Sequence, residues 1–214
     1  MYVSSRFFVV LCFVMVLIYK LYLHLSRRER FPFDFFALIP GLVIEGKSFY
    51  LNLLFVRLNV FVPLWLPCFM YLFLNRRDLK NYFISNENTL KSVGFGIFLG
   101  LCLGVFVNTF YNIHYNNSSL LVQVYELSVA FSEELLFRSI LLGILIKYEL
   151  RPGLAILIQS TVFMLGHLSY FYESQWVALI GVALLGILSG WLTLRYRNVI
   201  GAVGLHSVYN LYFL

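Results

Sequence analysis

Charged residues are scarce in this sequence: Asp, Glu, Lys and Arg make up 12% of its 214 positions, against about 25% in a soluble domain. So little polar surface cannot cover a water-soluble particle of this size. The apolar content equally excludes an intrinsically disordered chain. Cysteine is nearly absent. Cys12, Cys68 and Cys102 stand singly inside apolar stretches, which excludes a disulfide-stapled secreted module and any cysteine pair at metal or redox spacing. They read as small buried hydrophobes. A collagen-like glycine period, a Gly-rich phosphate loop, internal repeats and low-complexity tracts are also missing.

What is present is apolar. Hydrophobic residues reach 61% and aromatic residues 19%, and the mean hydropathy is +0.83. The apolar residues come in runs long enough to span a bilayer, so the expected fold class is all-α, a polytopic transmembrane helix bundle. The net charge of +6 does not indicate a nucleic-acid partner. Arg27, Arg28 and Arg30, then Arg76, Arg77, Lys80 and Lys91, then Lys147 and Arg151, then Arg195 and Arg197 all lie between apolar runs, as cytoplasmic loops do under the positive-inside rule.

Eight spans are expected, roughly 7–25, 31–46, 50–74, 92–114, 120–146, 152–172, 176–194 and 199–214. The second is short and holds Pro32 and Pro40, so a re-entrant or interfacial piece is the alternative there. The third carries Arg57, Pro63 and Pro67 and begins outside the hydrocarbon. With the basic loops facing the cytoplasm, both termini are extracytoplasmic, and the opposing loops Asn116 to Ser119 and Glu173 to Gln175 carry no basic residue. Residues 7–25 run into Ser26, Arg27 and Arg28 with no small-x-small cleavage site, which favours a retained span over a signal peptide. The chain reads as one integral membrane domain, 1–214, in a cell membrane.

Against this background the ionisable groups inside the spans stand out, because each costs at least ~2.5–3.5 kcal/mol at a helix centre. The fifth span reads Ser132-Glu133-Glu134-Leu135-Leu136-Phe137-Arg138. Glu134 and Arg138, four apart, share a helix face and can pair. Glu133 is turned about 100° away and is left over, a desolvated carboxylate suited to general-base work. The sixth span brings Phe163 and His167, and the eighth brings His206 and Asn210, again four apart. Gly166, Gly201 and Gly204 permit close helix approach around these side chains. A carboxylate and a histidine can activate water, while a histidine and an asparagine can donate to an oxyanion. Those are the parts of a peptide hydrolase that has no Ser or Cys nucleophile.

Each group also has a plainer reading. The Glu–Arg cluster can be structural glue or an ion or proton path, as in a transporter, and a lone histidine is usually a satisfied core residue. Phe163 reads as packing. Glu126, seven residues before Glu133, lies near the same helix stripe and reads as a carboxylate near the outer loop, with lining of a path to the site as the alternative. His24 and His114 read as interfacial.

Taken together, Glu-Glu-x-x-x-Arg (Glu133, Glu134, Arg138), Phe-x-x-x-His (Phe163, His167) and His-x-x-x-Asn (His206, Asn210), in that order on successive apolar segments, resemble the CAAX-protease and bacteriocin-processing (CPBP or Abi) family. These are glutamic-type intramembrane proteases, also called type II CAAX prenyl endopeptidases. The motif-bearing resemblance covers about residues 120–214, and the span count is similar to the family's. It implies that Glu133 and His167 activate the water, that His206 and Asn210 form the oxyanion hole, and that Glu134 and Arg138 organise the site. It implies a membrane-associated protein or peptide as substrate and leaves open whether that is a prenylated CAAX tail, a bacteriocin or a C-terminal sorting signal. Two glutamates and two histidines could in principle supply a zinc site. With no His-Glu-x-x-His helix and with Arg138 close by, a metal-free mechanism is expected, zinc being the alternative. A non-catalytic immunity or binding protein of the same fold and a proton-coupled transporter are the competing functions.

Overall fold

The structure is a computed structural model that describes residues 68–111, 120–167 and 176–211. The first two expected spans, most of the third, both extracytoplasmic loops, His24 and His114 lie outside the described residues. The chain divides into two compact units, Met1–Tyr71 and Leu72–Leu214, and the second carries every motif residue.

Within that unit all regular structure is helical. A 3₁₀ stretch at Arg76–Tyr82 precedes α1, Thr89–Tyr111. Next comes one long helical rod: α2, Leu120–Glu134, a π-helical segment at Leu135–Leu141, and α3, Leu142–Lys147. Helices α4, Pro152–Leu165, α5, Trp176–Tyr196, and α6, Ile200–Leu211, follow. Most of the described helix ends lie within a few residues of the apolar runs, but α4 ends at Leu165, ahead of the 172 expected. Thr89–Phe110 and Trp176–Tyr196 are long and apolar enough to cross a bilayer, and Pro152–Leu165 is apolar but shorter. At 1.5 Å per residue the first two measure roughly 32–33 Å, against about 30 Å of hydrocarbon.

The helix ends are set by local chemistry. The rod stops at Tyr148, because Glu149 takes a left-handed φ of 60°. The Glu149 N–H then donates to the Ile146 carbonyl at 2.9 Å and the Leu150 N–H to the Leu145 carbonyl at 3.2 Å. This pair of bonds satisfies carbonyls that the helix end would orphan, and Leu145 and Leu150 both pack on the Phe83–Leu142–Ala155 cluster, the apolar contact that accompanies such an end. Pro152 then starts α4 at its first position, where a missing N–H costs nothing. Helix α5 closes in the same way: Arg197 has φ 54°, and the Asn198 N–H donates to the Thr193 carbonyl at 3.3 Å.

Asn198 also fixes the start of α6. Its Oδ1 accepts from the Ile200 N–H at 2.7 Å, a helix cap. Its Nδ2 donates to the Ser85 carbonyl at 2.5 Å and to Thr89 Oγ1 at 3.0 Å. The side chain is fully buried, so the start of α1 and the start of α6 are tied at one level. This matters because the depth of His206 and Asn210 is counted from that point.

Helices α1 and α6 then cross at backbone contact. A Cβ at Gly96 would collide with the Gly201 carbonyl, one at Gly201 with Ser92, and one at Gly100 with the Leu205 carbonyl and Val208. Gly201 therefore serves as the sequence suggests, but Gly204 does not: a Cβ there meets its nearest atoms at 3.7 Å, an ordinary contact. The partners that make the approach possible are Gly96 and Gly100 on α1. Gly96→Ala should destabilise the protein by about 1–3 kcal/mol, the cost of overpacking a closed contact, whereas Gly94→Ala, with nothing within 4 Å of its Cβ, should be neutral. Thermal unfolding in detergent compares the two, and equal melting temperatures would show that the crossing is not close-packed.

Candidate active site

The two adjacent carboxylates of α2 part company, as a helix requires of neighbours. Glu134 is fully buried, and its Oε2 lies 3.0 Å from Arg138 Nε, also fully buried. The expected pair four residues apart is formed. It is held by charge rather than by a directed bond, since Nε, Nη1 and Nη2 of Arg138 all lack hydrogen-bond geometry to any acceptor among the described residues. The guanidinium instead lies over the Phe163 ring, 4.3 Å from its centroid, a cation–π contact that gains strength away from water.

The other oxygen of Glu134 reaches α6. His206 Nδ1 donates to Glu134 Oε1 at 2.7 Å, a buried bond between residues 72 apart in sequence. One carboxylate thus joins the π segment to α6 through Arg138 on one side and His206 on the other. That Arg138 lies on a π turn was not legible in the sequence; such wide turns are frequent at functional sites.

Glu133 faces the other way and keeps 12% of its side chain exposed. Its Oε2 stands 3.8 Å from His167 Nε2 and 4.0 Å from His206 Nε2. Both distances exceed a hydrogen bond and suit a bridging water. His167 does not lie on α4 but on the turn just past it, where its backbone N–H donates to the Met164 carbonyl at 2.8 Å. Its ring Nδ1 is 2.8 Å from the Phe163 carbonyl. A carbonyl only accepts, so Nδ1 carries a proton, and Nε2 is the nitrogen that faces Glu133.

Phe163, fully buried, is the hub of this cluster. Its ring meets Phe137 edge-on at 5.1 Å, His167 at 4.7 Å and His206 at right angles at 5.8 Å. It packs, as the sequence reading has it, and what it packs is the site.

Asn210 lies one turn beyond His206 on α6. Its Nδ2 donates to Glu126 Oε2 at 3.5 Å, a long bond. Glu126, read from the sequence as a carboxylate near the outer loop, thus also touches a motif residue. A carboxylate can only accept, so it must face the amide N–H₂ and not the amide oxygen. Five motif residues from four segments thus come together, Glu133, Glu134, Arg138, His167 and His206, while Asn210, one turn farther along α6, reaches Glu126. Among the described residues, no three His, Cys, Asp or Glu side chains are grouped to hold a metal ion.

Residues 115–212 match the family model of the Rce1-like type II CAAX prenyl endopeptidases. This stretch belongs to that family. Every site residue from Glu126 to Asn210 falls inside the matched region. No curated protein and no solved structure matches the chain. The family is one of peptidases acting at membranes on protein or peptide substrates, and the apolar helices agree with a membrane protein.

The Glu134–Arg138 pair gives a stability prediction. Arg138→Ala leaves a buried carboxylate without its counter-charge, a change that costs ~3–5 kcal/mol. The variant should express poorly and melt lower than the wild type, as well as lose activity. Unchanged melting with lost activity would mean that Arg138 serves the substrate and not the scaffold.

Proposed function

We propose that this protein is an intramembrane endopeptidase that uses a carboxylate-activated water. Glu133, assisted by the Nε2 lone pair of His167, takes a proton from water as it attacks the scissile carbonyl. His206 and Asn210 donate hydrogen bonds to the oxyanion that develops. Glu134 and Arg138 hold His206 in place. The observation that carries this reading is the gap at Glu133 Oε2, with a histidine Nε2 3.8 Å away on one side and another 4.0 Å away on the other. A carboxylate edged by two imidazoles at water-bridging distance is the arrangement a hydrolytic base needs.

The substrate enters as an extended segment, since a helix hides its amide bonds. An eight-span topology with both termini extracytoplasmic, in the plasma membrane, fits the placement of the basic loops. No metal is invoked, because the sequence has no His-Glu-x-x-His helix and the Arg138 cation already stands beside the carboxylates.

Peptidomics of membranes carrying wild-type protein or Glu133→Gln should reveal the substrate as fragments present only with the wild type. The purified Gln variant should be folded and inactive, and wild-type turnover should persist in the presence of a chelator. Near wild-type turnover by Glu133→Gln would rule out the carboxylate base, and chelator loss reversed by zinc would replace it with metal chemistry.

Asn210 separates oxyanion stabilisation from substrate binding. A donor to a developing charge acts mainly in the transition state, so Asn210→Ala should lower kcat by about 10²–10³-fold, ~2.7–4 kcal/mol of barrier, with little change in KM. A raised KM at unchanged kcat would make Asn210 a substrate clamp.

A further inference from the structure

The flank where α1 meets α5 is aromatic near one end and basic at that end. The Phe95 ring of α1 stands 6.0 Å from the Trp191 ring and 6.4 Å from the Tyr196 ring of α5. Phe98 adds a second α1 ring, 6.1 Å from Phe95. Phe95, Phe98 and Trp191 are all exposed, so these rings form an open surface and not a closed core. Lys91 lies four residues before Phe95 and Arg195 four after Trp191, so each cation shares a helix face with its ring. Both cations also sit at the same end of the bundle. Lys91 is in the first turn of α1 and Arg195 in the last turn of α5.

These two charges are not spent within the bundle. Both side chains are exposed, and neither makes an ion pair among the described residues. Glu87, the carboxylate nearest to Lys91 in sequence, faces Lys80 at 3.7 Å. Helices α1 and α5 are long and apolar enough to cross a bilayer, so their ends lie at the headgroup level, where Trp and Tyr rings settle. Below the rings the two stripes continue in exposed apolar side chains, Val105 on α1 and Ile187 on α5. A positive rim, an aromatic belt and an apolar trough match the layers of a phospholipid with net negative charge, and basic pockets between membrane helices bind such headgroups. A zwitterionic lipid brings its own cation, which Lys91 and Arg195 would repel.

We propose that the α1–α5 flank is a binding site for one anionic glycerophospholipid. Lys91 and Arg195 hold its phosphate, Phe95, Trp191 and Tyr196 pack at the glycerol level, and an acyl chain lies along Phe98, Val105 and Ile187. None of these residues belongs to the candidate active site, so the inference stands apart from the peptidase reading. Helix α6, which carries His206 and Asn210, packs on both α1 and α5, and a lipid joining the ends of those two helices would steady the third.

The test uses Trp191 as the reporter. Of the three tryptophans, Trp65 and Trp176 are replaced by Phe in the full chain, which is reconstituted in vesicles of fixed phosphatidylglycerol and phosphatidylcholine content. Only the bromine label on the acyl chains moves from one lipid to the other. Two basic side chains at the headgroup level should favour phosphatidylglycerol at Trp191 by roughly 10–30-fold, read as stronger quenching by its brominated form. The double variant Lys91→Gln, Arg195→Gln should lose that preference. Arg76→Gln, Arg77→Gln removes the same charge elsewhere and should keep it. Equal quenching by the two lipids in the parent protein overturns the proposal. So does a preference that survives the first double variant, or one that the second lowers as much, since the effect would then be general surface charge. If the tryptophan replacements prevent folding, native mass spectrometry of the wild type against Lys91→Gln, Arg195→Gln decides: a retained phosphatidylglycerol lost in the variant supports the site, and equal retention of both lipids refutes it.

Discussion

The carboxylate of Glu134 spends one oxygen on Arg138 and the other on His206, and much of the site geometry follows from that division. Arg138 fixes it from its own helix and His206 from a helix 72 residues later. All three groups are buried where an unpaired charge would cost several kcal/mol. The bundle can therefore close only in the register that brings His206 to Glu134. A site built this way doubles as a lock on the fold: the contact that orients the histidine also excludes neighbouring registers of α6, in which the carboxylate would lose a partner.

That register needs α6 to start at the right level and to lie close enough. Asn198 sets the level by capping α6 while holding the Ser85 carbonyl and Thr89. Gly96, Gly100 and Gly201 set the distance, since the backbones of α1 and α6 meet where side chains would otherwise stand. Without a hydrophobic force between helices in lipid, close packing of this kind and buried hydrogen bonds are what hold helices together. His206, two turns into α6, inherits its position from both.

The parts legible in the sequence were those governed by spacing along one helix. The four-residue interval of Glu134 and Arg138, and that of His206 and Asn210, are properties of an α-helix and survive any bundle arrangement. The apolar runs marked the helices for a similar reason, since membrane depth imposes length directly. What stayed hidden depended on contacts between segments. Nothing local announces the π turn at Leu135–Leu141 or the end of α4 before His167. Gly204 looked like Gly201 because the sequence does not say which face of α6 meets α1. Glu126 was weighed as a loop carboxylate because its partner, Asn210, is 84 residues away.

The adjacency of Glu133 and Glu134 has a physical consequence of its own. Two neighbouring carboxylates on a helix cannot share a face, so one must enter the dry interior whenever the other borders water. The exposures follow that split: Glu134 and Arg138 are fully enclosed, whereas Glu133 and His167 keep 12% and 17% of their side chains exposed. His206 spans the two, with Nδ1 on the enclosed carboxylate and Nε2 turned to the partly exposed one. A hydrolytic site inside a bilayer must admit water to one point and deny it to the groups that hold that point rigid. A Glu-Glu pair on a single helix turn suits both demands, because the geometry that separates the two side chains by about 100° also encloses one and leaves the other partly exposed.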